Sequence, residues 1–160
     1  MADAINLSTA GIHLYYAVEE TAGTRPKLKS AYTDLPGIKS TPSLNPSPEA
    51  LETTSLNETE YKTYIDGLKD LGGALEFTWN LTQALVDTWD ELMTAYEEAK
   101  TAGKGTWFLI DIPGLTNGLY FKGNPSSMGV PETAVNSVLE TTNYITPTSA
   151  PIMAAKPTAE

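Results

Sequence analysis

Apolar and polar residues alternate in several separate stretches of the chain, and this period of two predicts β-strands. The first stretch is residues 11–20, whose apolar face consists of Ile12, Leu14, Tyr16 and Val18. The second and clearest is residues 74–82. Its apolar face consists of Leu75, Phe77, Trp79 and Leu81, and its polar face consists of Glu76, Thr78, Asn80 and Thr82. A strand with one buried and one solvated face is typical of an antiparallel sheet.

Residues 84–102 have the spacing of an amphipathic helix. Apolar side chains recur three and four positions apart, at Trp89, Leu92, Met93, Tyr96 and Ala99. Thr82 and Asp87 are candidates for the N-cap. Gly103 is suited to end the helix, and Lys100 places a cation near the carbonyl end, where it is favourable. We interpret the apolar stripe as the face that packs on the sheet.

Further strands are predicted on both sides of this helix. Residues 27–33 form a weaker, edge-like strand, and residues 105–113 form a buried one. The sequence Thr-Asn-Gly at 116–118 predicts a tight hairpin turn, after which residues 119–123 return as a strand. Residues 133–145 alternate again and form the last strand. The order predicts an α+β, mainly β fold: an antiparallel β-sandwich or barrel with one flanking helix.

The alternation breaks in residues 34–60, which contain four prolines and only isolated apolar residues. We predict a long loop, and loops of this length inside a compact domain are functional or disordered. Its apolar residues either anchor it to another surface or hold it against its own domain. The candidate anchors in and just after the loop are Leu35, Ile38, Leu44, Leu51, Leu56, Tyr61 and Tyr64. Residues 1–145 are predicted to form one domain, followed by an extended C-terminal arm at 146–160 that has little to bury.

Composition narrows the possible functions. The chain has 160 residues with 10 basic and 20 acidic side chains, for a net charge of −10. Such a surface repels phosphate, which argues against binding nucleic acid by charge. The short basic cluster from Arg25 to Lys29 is interpreted as a solvated strand face. The absence of cysteine excludes disulfides and thiolate metal sites. The sequence has no signal peptide and no run of membrane-spanning length, so we expect a soluble protein made in the cytoplasm.

Candidate chemistry centres on Asp66 and Asp70 in the sequence Asp-Gly-Leu-Lys-Asp-Leu-Gly-Gly. A calcium loop needs oxygen ligands at alternate positions and glycine at the sixth, and this sequence has neither feature. We therefore interpret it as a turn supplied by its glycines. His13 has no motif partner, and no serine lies in a nucleophile elbow. We predict no catalytic residue, no metal site and no cofactor.

Several short motifs occur in a recognisable order. They are Leu-Pro-Gly-Ile at 35–38, Ala-Leu-Glu-Thr-Thr-Ser-Leu at 50–56, Tyr-Ile-Asp-Gly-Leu-Lys-Asp at 64–70, Leu-Glu-Phe-Thr-Trp-Asn at 75–80 and Trp-Phe-Leu-Ile-Asp-Ile-Pro at 107–113. In this order and spacing the chain resembles the major tail proteins, or tail tube proteins, of bacteriophages with long non-contractile tails. The resemblance covers most of residues 5–145.

The resemblance implies a β-sandwich with a flanking helix. It also implies that six copies form a ring, that the inner sheets join around a lumen, and that stacked rings form a virion tail tube through which DNA leaves the capsid. The long loop and terminal arms would bridge subunits. Glu76, Thr78 and Asn80 are the candidates for facing the lumen. The implied partners are further copies of the chain and the tape measure, tail terminator and distal tail proteins, with assembly in the host bacterial cytoplasm, no specific DNA binding and no membrane.

Two other functions remain open from the residues alone. The first is a monomeric β-sandwich binding module that presents Tyr15, Tyr61, Tyr64 or Trp107 to a glycan or peptide. The second is a hydrolase that uses Asp66 and Asp70, for which the sequence gives the weakest support.

Overall fold

The computed structural model describes residues 10–45, 47–70 and 73–159. Within these ranges there are ten strands, one α-helix and a short 3₁₀ helix at Lys29–Ala31. The strands are β1 His13–Val18, β2 Thr33–Leu35, β3 Ile38–Ser40, β4 Ser47–Glu52, β5 Tyr64–Asp70, β6 Leu75–Asn80, β7 Thr106–Asp111, β8 Asn117–Pro125, β9 Glu140–Pro147 and β10 Ile152–Ala155. The helix, α1, spans Gln83–Thr101.

The main sheet curls so that its two ends approach each other. Its strand order is β2-β1-β7-β8-β9-β6-β3, with β10 paired to β8, and every pairing is antiparallel. The end strands β2 and β3 are separated along the chain only by Pro36 and Gly37. Because that link spans at most about 11 Å, the sheet forms a half-barrel. The predicted mainly β, α+β fold with one helix is confirmed.

One face of this sheet packs against α1 and forms the main core. The Trp79 and Trp89 rings meet edge to face with centroids 5.9 Å apart, which joins β6 to the helix. The Trp89 indole N–H also donates to the Ser126 carbonyl at 3.0 Å. The buried residues of this core are Leu14, Tyr16, Leu35, Leu75, Phe77, Trp79, Leu85, Trp89, Leu92, Phe108, Phe121 and Ile145.

The helix begins and ends close to where the sequence predicts. The Thr82 hydroxyl accepts a hydrogen bond from the Leu85 amide at 3.2 Å, so Thr82 is the N-cap. Asp87 instead accepts from the Gln83 side-chain amide. Gly103 follows the helix with φ +75, a conformation that glycine adopts without strain.

The opposite face of the sheet carries a second, smaller core that covers β1, β7 and β8. It contains Ala17, Tyr32, Trp107, Leu109 and Tyr120. The predicted strand at 27–33 is wrong except at its last residue: Lys29–Ala31 form the 3₁₀ helix, and Thr33 begins β2. Ala31 and Tyr32 pack in this second core. The Lys29 amide donates to the Thr158 carbonyl at 2.7 Å, and the Tyr32 hydroxyl donates to the Pro26 carbonyl at 2.6 Å. The contact with Thr158, which is distant in sequence, helps to set this conformation.

The predicted loop at 34–60 contains the end of β2, all of β3 and all of β4. Strand β4 pairs with β5 in a separate two-stranded hairpin, residues 47–70, which we call the arm. The predicted turn at Asp66–Asp70 is wrong, because these residues lie within β5. A glycine suits the pairing at position 67, where a Cβ would lie only 3.0 Å from the Glu49 carbonyl oxygen. The next described glycine, Gly73, has φ +73, and residues 71–72 lie outside the described residues.

Three further boundaries differ from the prediction. The β7–β8 turn contains Gly114, with φ +94, whereas Asn117 and Gly118 lie within β8. Residues 133–139 form a loop, and β9 starts only at Glu140. The described part of the C-terminal arm does not remain unpaired, because β10 hydrogen-bonds along β8. The described residues include no helix that is long and apolar enough to cross a membrane.

Candidate interaction surfaces

The arm is the part of the described structure with the least support from the rest of the chain. Strands β4 and β5 pair with each other and with no other described strand. Its exposed apolar side chains are Leu51, Leu56, Tyr61, Tyr64, Ile65 and Leu68. An isolated two-stranded hairpin is marginally stable in water, and exposed apolar patches mark interaction sites. These properties make the arm a candidate for contact with another molecule.

The end of the arm has a defined hydrogen-bonded shape. The Thr53 amide donates to the Thr63 carbonyl and the Thr63 amide donates to the Thr54 hydroxyl, both at 2.8 Å. The Glu58 carboxylate accepts from the Glu60 and Thr59 amides, each at 3.0 Å, and these bonds hold its pKa below the usual value. The tip therefore presents an ionised carboxylate in a fixed position.

The predicted loop anchors separate into two groups. Leu35 is buried in the main core, and Ile38 and Leu44 pack against it, so these three contact their own domain. The other four, Leu51, Leu56, Tyr61 and Tyr64, are exposed on the arm. The four arm residues are therefore accessible to another molecule. Their role in contacts between subunits stays a prediction.

The polar face of β6 points away from the main core. Glu76 and Asn80 are exposed there and Thr78 is half-buried. In the pairing of β6 with β9, Glu76 lies opposite Tyr144, Thr78 lies opposite Thr142, and Asn80 lies opposite Glu140.

Part of this polar face is covered by the loop that joins β8 to β9. A cavity of about 650 Å³ separates the loop, at residues 127–138, from Thr78, Thr142 and Tyr144. Glu140, at its rim, forms an ion pair with Lys39. That Glu76, Thr78 and Asn80 line a lumen stays a prediction.

The aromatic residues of the binding-module alternative do not form one exposed cluster. Trp107 is buried in the second core, with Tyr15 packed beside it. Tyr61 and Tyr64 are exposed but lie on the arm. A glycan or peptide surface built from all four residues is therefore not present in the described structure.

The backbone positions of Asp66 and Asp70 give no support to the hydrolase alternative. Asp66 and Asp70 lie four residues apart in one extended strand, which separates their backbones by about 13 Å. His13 lies 3.4 Å from Asp34 in an exposed pair, and its ring is 5.9 Å from the Tyr15 ring. The described part of the chain contains no group of three or more His, Cys, Asp or Glu residues able to hold a metal. The geometry gives no support to metal-assisted or two-carboxylate hydrolysis.

A basic cleft was not anticipated as a site. It has a volume of about 350 Å³ and lies between residues 20–24 and residues 25–31. Arg25 stacks on the Tyr120 ring at 4.1 Å, whereas Lys27 and Lys29 are exposed and form no ion pair with the described residues. The sequence signal for it is the basic cluster at 25–29, and the interpretation of that cluster as a solvated strand face is wrong, because these residues form no strand.

A partly buried ion pair, with Glu19 as its buried member, lies beside this cleft. The Glu19 side chain has no exposed surface, accepts a hydrogen bond from the Gly105 amide and lies 3.5 Å from the Lys122 ammonium. Burial raises the pKa of its carboxyl, but hydrogen bonding from the Gly105 amide, the Trp107 side chain and the Gly23 amide, with the smallest contribution from the Lys122 charge, outweighs this effect, and the pKa lies below the usual value. Sequence alternation cannot identify such a group, because β1 ends just before it.

Comparison with known proteins gives a likeness of structure only. No protein-family model and no curated protein sequence matches the chain. The fold is similar to a chain of the anti-feeding prophage baseplate, 6-fold symmetrised, with 11% identity, a TM-score of 0.56 and coverage of 97% of both chains.

Two further structures match over most of their length. One is the tail of an empty GTA particle, refined helically with C6 symmetry, with 12% identity, a TM-score of 0.55 and coverage of 89% of this chain and 96% of that one. The other is the sheath/tube terminator of the PVC extracellular contractile injection system, with 11% identity, a TM-score of 0.56 and coverage of 95% and 100%. The chain thus has a tail-tube-like fold, and the likeness does not distinguish contractile from non-contractile tails.

Proposed function

We propose that the chain is a structural subunit of a phage tail tube, in which copies form stacked hexameric rings around a lumen that conducts DNA. The observation that carries the proposal is the likeness of nearly the whole chain to components of two assemblies described with 6-fold or C6 symmetry. The motif order that resembles major tail proteins of long non-contractile tails supports the same function independently.

The properties of the surface support this function. The arm exposes apolar side chains that its own domain does not cover, as expected for a segment that is stabilised by a neighbouring copy. The net charge of −10 suits a conduit, because an acidic lining repels the DNA backbone and prevents adhesion. Glu76, Thr78 and Asn80 are our candidates for that lining.

This role also implies a location and a set of partner proteins. The tube would belong to a virion tail assembled in the host cytoplasm. Its partners would be further copies of the chain together with the tape measure, tail terminator and distal tail proteins, and DNA would pass through without specific contacts. The arm residues Leu51, Leu56, Tyr61 and Tyr64 would supply contacts between subunits.

Negative-stain electron microscopy of the purified protein tests the proposal. We expect hexameric rings or tubes with a central lumen. Rings that never stack would indicate a terminator rather than a tube subunit. A stable monomer at high protein concentration would contradict both roles and favour a binding module.

A further inference from the structure

The basic cleft is unusual for so acidic a chain. Residues 21–33 contain Arg25, Lys27 and Lys29 and no acid, in a chain with twice as many acidic as basic residues. Leu28, between the two lysines, leaves nearly half of its surface exposed. The cleft is lined by Lys27, the partly exposed Leu28 and one acid, Glu20, and Lys29 is exposed beside this lining. Neither lysine forms an ion pair with the described residues, so the cleft and its edge offer cations and an apolar side chain to an acidic, partly apolar segment.

The arm has the complementary composition. Residues 47–70 contain six acids and two lysines, which gives the arm a formal charge of −4. Its exposed apolar side chains are unsupported by the main sheet. At its tip, Glu58 is held in place by two backbone hydrogen bonds.

The arm and the cleft are associated with opposite ends of β1. Residues 41–45, which lead into the arm, line a groove with Ile12 and Ile112, beside the start of β1. The cleft begins at Glu20 and Thr21, just beyond the end of β1 at Val18. Because β1 has six residues, these ends lie about 20 Å apart. A contact between arm and cleft would thus join copies head to tail, as a heterologous interface requires.

We propose that the basic cleft of one copy receives the acidic arm of the next copy. This inference rests on the proposed self-assembly and adds the surface that receives the arm. Lys27 in the cleft and Lys29 beside it face the arm carboxylates, and Leu28 contacts the apolar side chains of the arm. The contact also explains how subunits of net charge −10 associate, because it places the most acidic projecting segment against the most basic one.

Charge reversal tests the electrostatic part of the proposal. We expect the Lys27→Glu, Lys29→Glu double variant to raise the protein concentration needed for tube formation at least about tenfold at low salt. Adding Glu58→Lys and Glu60→Lys to the same chain restores complementarity and should lower that concentration again. The control, Lys100→Glu with Lys104→Glu, makes the same charge change at the end of α1 and should assemble nearly as the unaltered chain does. Equal loss in the control, or no rescue, would overturn the proposal.

Cysteine cross-linking tests the contact directly, since the chain contains no cysteine. Leu28→Cys is combined in turn with Leu51→Cys, Leu56→Cys and Leu68→Cys, and assembled protein is oxidised. We expect at least one pair to give a ladder of covalent multimers on denaturing gels. Tubes without any ladder would refute the arm–cleft contact and leave the proposed function standing. Failure of the unaltered chain to form rings or tubes would refute the proposed function and the contact together.

Discussion

The Tyr120 hydroxyl donates a hydrogen bond of 2.7 Å to the Ala155 carbonyl and so joins the centre of β8 to the end of β10. The Tyr120 side chain is completely buried, and its backbone pairs with Ile152 of the same C-terminal strand. The Arg25 guanidinium stacks on its ring. One side chain therefore holds the C-terminal strand and the edge of the basic cleft against the sheet.

Replacing Tyr120 by Phe removes this hydrogen bond and keeps the ring. It leaves the Ala155 carbonyl without its donor, so we expect a loss of about 1–2 kcal/mol in the free energy of unfolding. In the variant, hydrogen exchange at the backbone amides of β10 should be faster than in the unaltered chain, and this increase should exceed any increase at the amides of β6. Tyr96→Phe on α1, where the hydroxyl makes no hydrogen bond with the described residues, is the control and should change neither quantity. Unchanged exchange in β10 would show that the strand is held by its backbone pairing alone.

The elements that depend on local sequence were predicted well. The alternation at Leu75–Asn80 gave the correct buried and exposed faces, and the helix begins within one residue of its predicted start, after the Thr82 cap. In both cases each residue's environment follows from the period of the element, which the sequence displays directly.

The elements that depend on distant partners were missed. Nothing local to Ile152–Ala155 indicates a strand, because its partner β8 supplies the pairing. Asp66 and Gly67 resemble a turn until β4 is placed opposite them. The surfaces could be predicted only in part for the same reason. The isolated apolar residues of the loop, Leu51 and Leu56 among them, indicate a contact surface, but only the folded structure shows that Leu35 belongs to the core instead.

The exposed apolar side chains of the arm give a second prediction. Leu56→Ser with Leu68→Ser should leave the thermal unfolding midpoint nearly unchanged, because neither side chain is covered by the described structure. Assembly into rings or tubes, followed by pelleting and microscopy, should be strongly reduced. Val130→Ser alters an equally exposed residue in the loop before β9 and is the control. Equal loss of assembly in the control would show that the arm has no special role.

A third prediction concerns the close approach of β8 to β9 at Gly123. A Cβ at this position would lie 2.8 Å from the Ile145 Cγ2 atom and 3.0 Å from the Thr146 carbonyl oxygen. Gly123→Ala should therefore destabilise the protein by about 1–3 kcal/mol, since the backbone atom cannot move aside easily. Gly129→Ala, at a site with nothing within 4 Å of the added Cβ, is the matched control in a denaturant titration. Equal stability of the two variants would contradict the tight packing.

The buried Glu19 carboxylate predicts a specific dependence of stability on pH. The pKa of Glu19 lies below its usual value of 4.5, so the folded state favours the ionised form. The resulting stabilisation is present above pH 4.5 and is lost as the pH falls through the folded-state pKa. Glu19→Gln should therefore cost about 2–3 kcal/mol at neutral pH, with the difference from the unaltered chain narrowing in acid.

Urea titrations at neutral and acidic pH measure the free energies of unfolding of the Glu19→Gln variant and the unaltered chain, and so show whether the difference between them decreases in acid. Glu140→Gln is the matched control, because it removes a carboxylate from the more exposed pair with Lys39. Exposed ion pairs contribute about 0–1 kcal/mol, so its effect should be small at every pH. A Glu19→Gln penalty that stays constant from neutral to acidic pH would mean that shape and packing at this site, rather than the charge of Glu19, stabilise the junction between β1 and β7.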